Sequence, residues 1–157
     1  MSRVDYLRLV LAIRRQLLRR GRAIVAIDGR CGSGKTTLAA KLQKQLHCSV
    51  FHMDDFFLRP EQRTEERFAA PGENVDHERF LEEVLLPLRS AQAVTFRPFS
   101  CARQQLGEPV TTESSSLTIV EGAYACHPDL WAYYDLRVFL TVDPETQMSR
   151  IEARSGP

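Results

Sequence analysis

The sequence is short of several features, and each shortage excludes something. Its single asparagine, Asn74, is followed by valine. An Asn-Lys-x-Asp guanine reader therefore has no place in the chain, which removes most of the weight from a GTPase. The four cysteines, Cys31, Cys48, Cys101 and Cys126, lie far apart with no CxxC pair. Neither a zinc ribbon nor a secreted disulfide scaffold is indicated, and a reducing, cytoplasmic location is expected. No apolar run approaches the roughly 18 residues of a membrane span. Charge at Arg3, Asp5 and Arg8 interrupts the N-terminus, so no signal peptide and no membrane partner are expected. No sign of charge dominates: the net value is +1, and the one basic cluster is Arg14, Arg15, Arg19, Arg20 and Arg22 around the first helix. A nucleic-acid partner is therefore not expected. His52, His77 and His127 show no metal-ligand spacing, and a structural role is expected for each.

What is present reads as one α/β domain over residues 1–157, since a hydrophobic content of 43% in a chain of 157 residues is enough for a single core. Val4 to Arg20 places Leu7, Val10, Leu11, Arg14, Leu17 and Leu18 at helical spacing, and Gly21 offers a left-handed cap. Ala23 to Asp28 is a short apolar run of the kind expected for a parallel strand covered on both faces. A helix is expected from Thr37 to Leu46, a second strand from Ser49 to Met53, and then a charged, Pro- and Gly-containing excursion from Leu58 to Asn74 that reads as a mobile substrate loop. A helix from His77 to Leu86, stopped by Pro87, should follow. Further strands are expected at Ala93 to Arg97, Leu117 to Glu121 and Leu136 to Val142, with a helix opening at Pro144 and running to about Arg154. Strands alternating with helices imply a mostly parallel sheet flanked by helices.

Gly29-Arg30-Cys31-Gly32-Ser33-Gly34-Lys35-Thr36 matches GxxxxGK[ST] directly after an expected strand and before an expected helix. Glycines let the backbone curl so that successive amides point inward, and the following helix adds its positive end. The expected fold is thus a three-layer P-loop NTPase. Gly29, Cys31, Gly32, Ser33, Gly34, Lys35, Thr36 and Thr37 form the nucleotide-binding set, with Lys35 on the β and γ phosphates and the Thr36 hydroxyl on magnesium. ATP and Mg2+ are the expected cofactors. Bound nucleotide is expected to shield Cys31 from alkylation. Transfer to a hydroxyl requires a carboxylate to accept the hydroxyl proton and cations to neutralise developing charge. Asp54 and Glu121, each at the carboxyl end of a strand, are placed for this, with Asp55 the alternative to Asp54.

The motifs AIDGRCGSGKTTLA, HMDDFF, NVDHERF, FRPF and IVEGAY resemble the uridine kinase and phosphoribulokinase group of P-loop kinases, from residue 23 to about 154. The resemblance implies a kinase acting on a small-molecule hydroxyl, a nucleoside such as uridine first, with a sugar phosphate or pantothenate-like alcohol, or a non-catalytic ATP-binding module, as alternatives. It implies Asp54 as catalytic base, Asp76 as the holder of ribose hydroxyls, Glu121 as a magnesium organiser, and a tendency to self-associate. Phe57 and Phe99 stand where uridine kinases carry tyrosines; they are expected to line the acceptor pocket, and Arg97 is expected to pair with an acidic substrate group or a neighbouring carboxylate. Arg150 and Arg154 are the expected lid arginines, with Ile151 where a further arginine often stands. Relative to that group the chain is expected to be C-terminally incomplete, lacking most of the lid and the final helices.

Overall fold

The computed structural model describes residues 1–155, the side chains of 154 and 155 excepted. Helix α1 (Arg3–Arg20) starts on a reciprocal cap: Ser2 Oγ accepts from the Asp5 amide while the Asp5 carboxylate accepts from the Ser2 amide. It ends at Gly21, whose φ of +71° brings its N–H to the Leu17 carbonyl at 2.8 Å. The side buried against the sheet is Tyr6, Val10 and Ile13. Leu7, Leu11 and Leu18, expected on that side, are at least half exposed. Two apolar stripes run one residue apart along this helix, and the sheet takes the one carrying Tyr6.

Strand β1 (Ala23–Gly29), helix α2 (Lys35–Leu46) and strand β2 (Ser49–His52) follow. After β2 a 3-10 turn, Met53–Phe56, carries Asp54 and Asp55. The excursion beyond it holds a 3-10 turn at Pro60–Gln62 and helix α3 (Glu65–Ala69). Its charges tie it down: Arg63 donates to the Leu58 carbonyl at 2.9 Å, and Arg67 reaches Glu78 at 2.6 Å and the Glu73 carbonyl at 3.3 Å.

Pro87 does not stop the next helix. Helix α4 (His77–Phe80) passes into a π-helical segment, Leu81–Leu85, and on into α5 (Leu86–Arg89), which contains Pro87. The Leu86 N–H bonds to the Leu81 carbonyl, five residues back. The widened turn accommodates a residue that has no N–H and whose ring would collide with the carbonyl four residues earlier.

The polar stretch beyond contains four short strands, β3 (Val94–Phe96), β4 (Phe99–Ser100), β5 (Gln105–Leu106) and β6 (Val110–Thr112), paired antiparallel as β3–β6 and β4–β5. Strand β7 (Leu117–Glu121), a 3-10 helix at Pro128–Tyr133, strand β8 (Leu136–Leu140) and helix α6 (Pro144–Ser155) complete the described chain.

The central sheet is parallel, in the order β2-β7-β1-β8. Alternation along it divides the core. Ala23, Val25, Ile27, Leu117 and Ile119 face α1 and α2, while Ile24, Ala26 and Val120 pack against Phe51, Phe56, Phe80, Leu85 and Phe96 on the α4–α5 side. With helices on both faces, β1 has no polar face to show, which explains its apolar run from Ala23 to Ile27. Phe56 stacks on Phe96 at 5.2 Å and meets Phe80 edge-on at 4.9 Å, and this aromatic cluster anchors the turn that bears Asp54 and Asp55.

Candidate active site

The carboxyl ends of β1, β2 and β7 converge on one edge of the sheet, the edge at which open α/β sheets place ligands. The loop from β1 to α2 wraps that edge. At Gly29, φ is +146° and a Cβ would run into the carbonyl oxygen of Leu140 on β8, so only glycine lets the loop leave the sheet here. Lys35 Nζ donates to the Gly29 and Arg30 carbonyls at 2.7 and 3.0 Å, which holds the ammonium over the loop. Ser33 Oγ is buried without a hydrogen-bond partner. Thr36 and Thr37 begin α2, both exposed. Helix α6 packs against the loop from outside: Arg150 donates to the Gly32 carbonyl at 2.9 Å and Gln147 to the Cys31 carbonyl at 3.0 Å. Gln147 carried no signal in the sequence. The side chain of Arg154 lies outside the described residues.

Glu121 ends β7 with its side chain buried. Its Oε1 accepts from Thr36 Oγ1 at 3.1 Å and meets His52 Nδ1 at 2.6 Å. The Glu121 hydrogen bond raises the His52 pKa above its ordinary value against the opposing effect of burial, with Asp55 and Asp54 adding to the rise. Two strand ends and the start of α2 are thus joined through one carboxylate. Asp54 is exposed one turn beyond β2. Asp55 is half-buried, and burial, with Asp54 beside it, raises its pKa against the pull of His52 and Arg79.

Asp28, at the end of β1, was missed by sequence reasoning. Its carboxylate is buried and accepts three backbone N–H groups, from Gly29 at 2.6 Å, Tyr124 at 3.1 Å and Cys126 at 2.8 Å. It therefore fastens the segment after β7 to the root of the phosphate loop. Only its place directly before Gly29 in the motif hinted at this. The same segment needs Gly122, where a Cβ would stand 2.6 Å from the Met53 Cβ.

Asp76 caps α4 by accepting from the Arg79 N–H at 3.2 Å, and its own N–H donates to the Phe56 carbonyl at 2.7 Å. It is 2% exposed, and its Oδ2 has no hydrogen-bond partner although Arg79 and Arg59 lie 3.9 and 4.0 Å away. Capping therefore uses one oxygen and leaves the other over. Phe57 and Asn74 line an apolar cavity of about 270 Å³ together with Leu58, Arg63, Phe68 and Cys101. Phe99 is buried, with the Arg63 guanidinium 5.7 Å from its ring centroid, and is not among the lining residues; Phe68 stands there with Phe57. Arg97 pairs with no carboxylate among the described residues. Its guanidinium donates to the Gly107 and Leu106 carbonyls at 2.7 and 3.5 Å and braces the β4–β5 hairpin.

His77 and His127, for each of which a structural role is expected, stand together. The fold brings them to a ring-centroid distance of 3.9 Å, with Glu73 beside both.

A parallel sheet between helix layers, with a glycine-rich loop leading from its first strand into a helix, defines a P-loop nucleotide-binding fold of the kinase type. The chain belongs to the family described as the AAA domain, whose family model matches residues 25–157. Among solved structures, a protein described as a fructose transport system kinase from Silicibacter superposes with a TM-score of 0.75 at 27% identity, over 99% of this chain and 82% of that one. A possible uridine kinase from Bacillus stearothermophilus gives 0.68 at 22% identity, over 91% and 86%. D-glycerate 3-kinase from Cryptococcus neoformans gives 0.54 at 19% identity, over 75% and 51%. Human nicotinamide riboside kinase 1 is 56% identical over 43 residues, which are 27% of this chain and only 21% of that protein. Among the described residues, no helix is long and apolar enough to cross a membrane.

Proposed function

We propose that the chain is an ATP-dependent kinase that moves the γ phosphate to a hydroxyl of a small molecule, with a nucleoside such as uridine as acceptor. The observation that carries this reading is the Thr36–Glu121–His52 junction beside the phosphate loop, with Asp54 one turn away. Lys35, Arg150 and the amides of Gly29 to Gly34 stabilise charge on the transferring group, and the partnerless Ser33 hydroxyl is free to bond a phosphate oxygen. Thr36 Oγ1 and the Glu121 carboxylate are oxygen donors 3.1 Å apart, a set suited to Mg2+. When bound there, the ion supplies charge neutralisation for the phosphates.

Asp54 orients the acceptor hydroxyl and takes its proton. The left-over Oδ2 of Asp76 accepts from ribose hydroxyls, and the Phe57 wall of the cavity packs the base. A second riboside, nicotinamide riboside, is favoured by the 43-residue match to the kinase of that name. Transfer of label from ATP across a panel of uridine, cytidine, nicotinamide riboside, fructose and glycerate tests the reading. Asp54→Asn should lower turnover on the best acceptor by about 10²–10⁴-fold and Asp55→Asn by much less. ATP binding with no transfer to any acceptor would favour the non-catalytic module instead.

A further inference from the structure

We propose that Glu73, His77 and His127 form a binding site for a zinc-class divalent transition metal, which clips the end of the 58–76 segment to the loop after β7. Glu73 and His77 stand four residues apart and His127 comes from a distant part of the chain; one ligand atom from each lies within 4.8 Å of the others. Each Nε2 is 3.5 Å from Glu73 Oε1. That is at the long end for an N–H···O hydrogen bond, whose common range ends at about 3.2 Å. It is close to the edge of a tetrahedron built on metal–ligand bonds of about 2.0–2.1 Å, roughly 3.4 Å.

A second observation points the same way. His77 is 4% exposed, yet neither of its ring nitrogens has a hydrogen-bond partner. Glu78 Oε2 stands 3.2 Å from its Nδ1 as an ion-pair neighbour, and an imidazole this buried whose hydrogen bonds are unmade costs free energy that a ligand at Nε2 would recover. Asp129 Oδ2 lies 3.4 Å from His77 Nε2 on the solvent side, so the fourth position falls to Asp129 or to water. Room beside His127 depends on Gly72, where a Cβ would stand 2.9 Å from the His127 Cδ2. Two nitrogen donors with one carboxylate suit Zn2+ or Co2+ and disfavour Mg2+, which prefers oxygen.

Binding has one local cost. His127 Nδ1 accepts from the Asp129 N–H at 3.3 Å, so a neutral ring carries its hydrogen on Nε2. Coordination through Nε2 moves that hydrogen to Nδ1 and releases the Asp129 amide.

Titration of the metal-free chain with Co2+, followed by visible absorption, tests the site. One equivalent should bind with nitrogen and oxygen ligation and no thiolate charge-transfer band, and Zn2+ should displace it while excess Mg2+ should not. Glu73→Gln is nearly isosteric and partly exposed, so it should fold; with His127→Ala it should weaken binding by about a hundredfold or more. The Asp129 amide should lose exchange protection on Zn2+ addition in the unsubstituted chain only. Absence of saturable Co2+ binding would overturn the proposal and leave His77 as an ion-pair centre among Glu73, Glu78 and Asp129. Binding that both variants retain at full affinity would overturn it too.

Discussion

Asp28→Asn isolates the contribution of one buried carboxylate, because the substitution keeps the volume and changes only the hydrogen bonding. Oδ1 accepts from the Gly29 and Tyr124 amides and Oδ2 from the Cys126 amide. An asparagine can turn its carbonyl toward the first pair or toward Cys126, never both. In its better orientation it keeps two bonds, loses the 2.8 Å bond to Cys126 and aims an NH₂ at that buried N–H. A hydrogen bond to a charged acceptor contributes about 1.5–3 kcal/mol, and a buried donor left unpaired costs a similar amount. The expected destabilisation is about 3 kcal/mol. For a chain of this length that is a fall in Tm of roughly 6–12 °C. Denaturant unfolding of both proteins measures it, and hydrogen exchange at Cys126 locates it, since that amide should lose protection before the strands do. A difference below about 0.5 kcal/mol, with Cys126 still protected, would refute the fastening role given to Asp28.

Lys35→Ala should lower turnover about a thousandfold, roughly 4 kcal/mol in the barrier, and near-normal phosphate transfer would rule out the role assigned to it. Thiol labelling should divide the cysteines. Exposed Cys31 and Cys101 alkylate readily near neutral pH, whereas burial, with Asp28 nearby, pushes the Cys126 thiol up to about 11. Cys126 should therefore label only as the pH approaches that value, and ATP should slow labelling at Cys31 alone. Equal rates at Cys126 and Cys101, or no effect of nucleotide on Cys31, would contradict the environments assigned to them.

The features legible in the sequence were those written into contiguous residues. The phosphate loop is one, because its chemistry demands glycines and a lysine at fixed offsets between a strand and a helix. The buried strands are another, since a strand covered on both faces is apolar over most of its length. The face expected on α1 spanned two stripes, and the structure buries only the one that carries Val10 and Leu17. Leucines at 7, 11 and 18 have the same period as Tyr6, Val10 and Ile13, and only the position of the sheet chooses between them. Pro87 reads as a stop because the penalty for proline in a helix is local. The π-helical turn that absorbs it is stabilised by packing of Val84, Leu85 and Leu88 in the core. Arg97 and Phe99 looked like pocket residues by their place in a motif, but the β4–β5 hairpin takes one for its carbonyls and buries the other.

By itself the sequence determined a P-loop between β1 and α2, a parallel sheet, and acids at the carboxyl ends of two strands, since each of these follows from residues within a few positions of one another. Tertiary structure alone decided what the carboxylates along that edge touch. Glu121 meets Thr36 and His52, and Asp28 reaches across to Tyr124 and Cys126, through bonds between residues 69 to 98 positions apart. It also decided that His127 stands against Glu73 and His77, a proximity that sequence spacing does not encode because it arises only when the loop after β7 folds over the start of α4.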